Sequence, residues 1–215
     1  MLARRKALPS LVVAVAALLT AAGTAQAAEA PAASTDQLAA AVTRIVGNEH
    51  SAADLALVKT RPEIARHVPA PDGLTLSVEA DGYTLAQDKG ASTPAGGVTP
   101  LAENCAGAID VGLQQKSVFG NVIWQYIHHV EACSDNVNVT RFLVRRDMAR
   151  TDGTIEILEQ TQNVAGATPA AWTTSMVQRH LKLCLPVIPC TNWYPWIRVK
   201  LYADHTYTAE GSITT

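Results

Sequence analysis

From residue 101 onward the chain repeats one pattern: a short run of strand-forming residues, then a turn signal, then another run. That repetition constrains the fold more than any other feature. The runs span 108–113, 121–132, 137–148, 154–161, 172–183, 196–203 and 206–213. Between them stand Gly120-Asn121, Ser134-Asp135-Asn136, Thr151-Asp152-Gly153 and Ala203-Asp204-His205, residues that accept tight-turn geometry. The last two runs, "IRVKLYA" and "TYTAEGSI", read as a hairpin. Strands with one apolar face must bury it against a second layer. A mainly β fold is therefore expected, an antiparallel β-sandwich or flattened barrel of about seven strands.

Four cysteines, Cys105, Cys133, Cys184 and Cys190, all fall in this region. No pair has the short Cys-x2-4-Cys spacing that zinc sites favour, so no metal is expected and two disulfides are. The sequential pairing, Cys105–Cys133 and Cys184–Cys190, suits strands that meet as antiparallel neighbours and a loop that closes on itself. Loop-closure entropy assigns these bridges roughly 3–4 and 2–3 kcal/mol. Disulfides imply an oxidising compartment. The N-terminus agrees: Arg4, Arg5 and Lys6 precede an apolar run from Leu11 to Ala22 and then Ala25-Gln26-Ala27. Residues 1–27 read as a secretory signal peptide cleaved near Ala27, and the protein is expected to be extracellular. The apolar run falls short of the about 20 residues a spanning helix needs, so no stable membrane anchor is expected. Loss of that segment leaves 14 of the 17 basic residues against 19 acidic ones, a net charge of −5. That balance, without a basic stripe, argues against a nucleic-acid partner.

The two halves of the chain differ. Of eleven Phe, Trp and Tyr residues only Tyr83 precedes residue 100. Residues 28–87 read as a helical extension or pro-segment with a hairpin about Ala80-Asp81-Gly82, and 88–100 as a Gly/Pro/Ser/Thr-rich linker. In "STDQLAAAVTRIVGNEH", Ser34 or Thr35 can cap a helix whose apolar positions are Leu38, Ala41, Val42, Ile45 and Val46, with Gly47-Asn48 as the stop. Short helices follow in "SAADLALVKT" and, opened by Pro62, in "RPEIARHV". Residues 101–215 form the β-rich domain. Nothing in the residues sets an oligomeric state.

Two stretches carry candidate chemistry. In "VIWQYIHHVEAC" alternation places Trp124, Tyr126, His128 and Val130 on an apolar face, and His129 with Glu131 on the opposite one. His129 and Glu131 form a candidate acid–base pair for a secreted hydrolase. Gly-x-Ser-x-Gly, His-Glu-x-x-His, Walker and Gly-x-Gly-x-x-Gly motifs are all missing, and paired cysteines leave no thiol nucleophile, so no cofactor and no catalytic residue is expected. Scattered residues such as Ser175, His180 and Asp110 gain no support from spacing. The four arginines of "RFLVRRDMAR" fit a solvated strand end, with Glu156 and Glu159 as cross-strand partners, better than an anion site.

The second stretch is "LKLCLPVIPCTNWYPWIRV". A bridge between Cys184 and Cys190 would stiffen an apolar loop containing Val187 and Ile188, and Trp193, Tyr194 and Trp196 follow at once. Rigid aromatic side chains make large contacts at small entropic cost. The expected function is non-catalytic binding of an extracellular glycan or protein through Val187, Ile188, Trp193, Tyr194 and Trp196. The alternatives are the hydrolase just described and an extracellular protease inhibitor.

Overall fold

The computed structural model describes residues 34–86, 102–105 and 107–214. The expected signal peptide (1–27) and linker (88–100) lie outside the described residues. The three expected helices form. In α1 (Thr35–Val46) the Ser34 side chain accepts from the Gln37 backbone while Gln37 reaches back to the Ser34 amide, a reciprocal cap. Leu38, Ala41, Val42 and Ile45 then fall on one buried stripe, and the helix stops at Gly47. A second capping box, Ser51 with Asp54, opens α2 (Ala52–Lys59). Asp54 is nearly buried; the Arg44 guanidinium and the Ser51 amide and hydroxyl hold its carboxyl well below the usual carboxylate range. Pro62 begins the single turn of α3 (Pro62–Ala65).

The hairpin expected about Ala80-Asp81-Gly82 does not form. Residues before the turn make one long strand, β1 (Pro69–Asp81), which pairs antiparallel with β3 (Ala108–Ser117). Gly82 takes a left-handed φ of 71°, and the chain leaves β1 rather than folding back on it. It next makes β2 (Thr84–Leu85), which lies parallel to β9 (Thr206–Thr214). The first half of the chain thus supplies a strand to each sheet. Tyr83, between the two strands, is buried and donates to the Ala132 carbonyl at 3.1 Å.

The seven strands expected beyond residue 101 are β3, β4 (Val122–Ser134), β5 (Val139–Thr151), β6 (Ile155–Ala165), β7 (Trp172–Leu183), β8 (Thr191–Tyr202) and β9. They divide into an antiparallel four-stranded sheet A, order β1-β3-β4-β5, and a mixed five-stranded sheet B, order β2-β9-β8-β7-β6. Cys105–Cys133 and Cys184–Cys190 are both bonded. The inner faces share one apolar cluster that includes Ile109, Val111, Tyr126 and Val130 of sheet A and Val177, Ile197, Val199 and Leu201 of sheet B.

Polar side chains bridge the sheets beside that cluster. His128, fully buried, donates from Nδ1 to the Arg146 carbonyl (3.1 Å), which leaves Nε2 to accept from the Ser175 hydroxyl of β7 (2.8 Å). Arg145 Nε donates to the same hydroxyl oxygen at 2.7 Å. Arg179 of β7 pairs with Asp147 of β5 at 2.7 Å, and Gln160 donates to Asp147 at 2.8 Å. Each group has the partner that burial demands.

The helices close one end of the sheets. Val118 donates to the Val68 carbonyl, Asn121 to the Arg66 carbonyl, and His67 meets Asp152 at 2.8 Å. Thr43 and Val46 of α1 face Ile188 and Thr191 across a recess of about 200 Å³.

Candidate binding face

Strand β8 lies inside sheet B, hydrogen-bonded to β7 on one side and β9 on the other. Its burial alternates along its whole length. Trp193, Pro195, Ile197, Val199 and Leu201 point inward and are buried, while Tyr194, Trp196, Arg198, Lys200 and Tyr202 stand on the outer face. Outer positions normally carry small polar residues; here three of the five are aromatic. Register adds a fourth ring, because Trp172 of β7 lies directly opposite Tyr202 and is 52% exposed. The row runs from Tyr194 to the Trp172–Tyr202 pair, eight residues along β8 or about 27 Å at strand rise.

Each ring is held by a neighbour. His180 stacks on Tyr194, with centroids 4.8 Å apart and planes 20° from parallel. The Arg198 guanidinium lies 5.6 Å from the Trp196 centroid and also pairs with Glu210 at 2.9 Å. Lys200 Nζ sits 4.2 Å from the Trp172 centroid and 4.9 Å from that of Tyr202. These contacts fix rings on a surface where they would otherwise be free to turn. Amides and hydroxyls fill the intervals: Gln178 lies opposite Trp196, accepts from Gln162 and Thr161 (3.0 Å each), and Thr174 and Thr208 flank Lys200. Hydrogen bonds from His180 to Asn192 and Glu159, 3.0 Å each, raise the imidazole above its ordinary value.

The five residues expected to form the site separate. Tyr194 and Trp196 belong to the outer face, but Trp193 is 4% exposed and lies in the core. Val187 and Ile188 are partly buried against the same core, beside α1, because the apolar loop closed by Cys184–Cys190 completes the helical end of the molecule. Trp172, Tyr202 and Lys200 were not anticipated. Strand parity is the signal for Lys200 and Tyr202, since alternation along 191–202 sends Trp193 inward and Trp196, Lys200 and Tyr202 outward; Trp172 joins them only through register.

His129 and Glu131 do share the outer face of sheet A, and register brings Asp110 to them. His129 Nδ1 meets Asp110 at 2.8 Å and Nε2 meets Glu131 at 2.9 Å. Each ring nitrogen therefore has a carboxylate oxygen within hydrogen-bond distance. His129 is only 7% exposed, which leaves no ring nitrogen open to a substrate. The dispersed trio does not assemble either: Ser175 is buried between the sheets, His180 is on the outer face of sheet B and Asp110 on that of sheet A. The arginines of β5 take partners other than those expected. Arg141 pairs with Glu103, while Glu156 and Glu159 engage Lys182 and His180.

Among the described residues no helix is long and apolar enough to cross a membrane. Among the described residues the one group of side chains with metal-ligand spacing, Glu103 with Cys105 and Cys133, contains a closed disulfide, so its sulfurs are not thiolate ligands. Comparisons with protein-family models, with curated proteins and with solved structures find no match to this chain.

Proposed function

We propose that the protein is an extracellular, non-catalytic glycan-binding protein. In this reading the two stacked sheets form a β-sandwich, and the ligand lies along the outer face of sheet B across Tyr194, Trp196, Trp172 and Tyr202. The observation that carries it is the placement of four aromatic side chains on a solvent-facing sheet surface, each flanked by amide, hydroxyl or cationic groups. A sugar ring has an apolar C–H face and a rim of hydroxyls. It therefore needs both a ring to stack on and donors beside it, which this face supplies in alternation. A protein partner would favour a drier, more contiguous apolar patch with a polar rim. The two disulfides suit an extracellular setting.

Affinity electrophoresis through gels containing soluble polysaccharides, neutral and acidic, tests the proposal. The wild type should be retarded by at least one polymer. Covering the exposed half of Trp172 removes on the order of 100 Å² from water, worth about 2–3 kcal/mol at ~25 cal/mol/Å². Part of that is lost to ordering the ligand, so Trp172→Ala should weaken binding at least about tenfold. Absence of retardation in every polymer, or retardation that Trp172→Ala and Trp196→Ala leave unchanged, would refute the assignment.

A further inference from the structure

We infer that the ligand of this face is an acidic glycan, a polymer containing hexuronic acid, and that Lys200 reads its carboxylate; this rests on the glycan reading above. Three permanently cationic side chains stand on the outer faces of β7 and β8. Lys182 has Glu156 at 3.7 Å and Arg198 has Glu210 at 2.9 Å. Lys200 differs: among the described residues no carboxylate lies within ion-pair reach of it, and its neighbours are the rings of Trp172 and Tyr202 and the hydroxyl side chains of Thr174 and Thr208.

The position follows from register. Trp172 lies directly opposite Tyr202, and Thr174 opposite Lys200, so Lys200 is diagonal to Trp172 and two residues from Tyr202 on its own strand. Its ammonium is held against two aromatic faces, at the place where a stacked sugar would present its rim. A cation among ring faces lacks a full water shell and retains donors directed at solvent. Hexuronic acids match both features, since the pyranose C–H face suits Trp172 and the ring-borne carboxylate suits the ammonium. A neutral sugar would use the rings and leave the charge unanswered.

The test compares polygalacturonate, alginate and hyaluronan with the carboxyl-reduced form of each, by affinity electrophoresis and by calorimetry on short fragments at 20 mM and 300 mM salt. At low salt at least one acidic form should bind about threefold to fivefold more tightly than its reduced counterpart, the range expected for one exposed ion pair. The ratio should shrink at high salt. Lys200→Gln should bring the ratio to within twofold of unity, any weakening common to both forms reporting the lost contact with the Trp172 and Tyr202 rings, and Lys200→Arg should largely restore the ratio. Equal binding of acidic and reduced forms, or a preference that survives Lys200→Gln, overturns the role of Lys200 and leaves the glycan reading standing. Failure of every acidic, reduced and neutral polymer to bind overturns both. Thermal midpoints of the Lys200 variants should match the wild type, since the side chain lies on the outer face.

Discussion

Acidification should destabilise this protein through His128 before most of its carboxylates are protonated. The imidazole is fully buried between the sheets, and burial, with a smaller contribution from the Arg145 guanidinium, lowers it from 6.5 to about 4; the Arg146 carbonyl and Asp147 oppose the shift. In the unfolded chain His128 takes up a proton near its ordinary value, while the native protein resists until about pH 4. Between those values unfolding is coupled to uptake of about one proton. Stability then falls by about 1.4 kcal/mol for each unit of pH lost. Across the window the loss is about 3 kcal/mol, against the roughly 5–15 kcal/mol of a typical domain. The contribution is complete above pH 6.5 and gone below about pH 4. Urea unfolding of wild type and His128→Gln at half-unit steps from pH 7.5 to 4 isolates it, because the other histidines contribute equally to both. The wild-type profile should be steeper by about 1.4 kcal/mol per pH unit within the window and parallel to the variant above it. Parallel profiles throughout would show that His128 is not held neutral by burial. Asp54, held below the carboxylate range by Arg44, loses its contribution only as pH falls below the ordinary aspartate value of 3.8 and so titrates outside this window.

Three further outcomes follow from packing. Arg179→Met should cost about 3–5 kcal/mol in urea unfolding by stranding the nearly buried Asp147 carboxylate, and adding Asp147→Leu should recover much of the loss; a double variant no better than the single would argue against that pairing. Replacing both cysteines of the 105–133 bridge by serine should destabilise by about 3.6 kcal/mol and of the 184–190 bridge by about 2.2 kcal/mol, following the 28- and 6-residue separations; the reverse ranking in calorimetric melting would contradict the loop-entropy account. Trp193→Ala should cost about 3–5 kcal/mol and Trp196→Ala about 0.5–1 kcal/mol, although the residues are three apart, because only the first removes core volume; similar losses in denaturant melts would refute the face assignment.

What could be read locally was legible in the sequence. The helix cap at Ser34 and the seven strands beyond residue 101 are written in adjacent residues, and the favoured sequential cysteine pairing is the one observed. Strand partners are not. The alternation in 74–85 marks extended chain but does not say that β1 must seek β3, some 30 residues on, rather than its neighbour across Gly82. The candidate face was half visible for a related reason. Pro195 argues against a strand interior, since it cannot donate to a ladder, so the run reads as beginning at Trp196. Yet β8 starts at Thr191 and takes Pro195 into a paired position opposite Ile213. Without those first residues Trp193 and Trp196 look like one patch. Trp172 and Asp110 join their partners only by cross-strand register, which no linear motif encodes.

The polar bridges between the sheets bear directly on the candidate binding face. Side-chain period in a strand is two, so a slip of one residue exchanges every inward side chain for an outward one. For β8 that exchange would bury Arg198 and Lys200 and expose Ile197 and Val199. Apolar alternation resists it, but sheet B has aromatic residues on both faces, and Trp196 is as apolar as Trp193. Hydrophobic pattern alone therefore discriminates weakly at this end of the strand. Ser175 and Arg179 supply the discrimination on β7, since each must point inward to meet His128 and Asp147 of the other sheet. β7 in turn fixes β8 through one register kept from Trp172–Tyr202 to Leu183–Thr191. A buried histidine and a buried ion pair are costly groups to keep in a core. In this protein they hold β7 in the register that leaves four rings and Lys200 facing solvent.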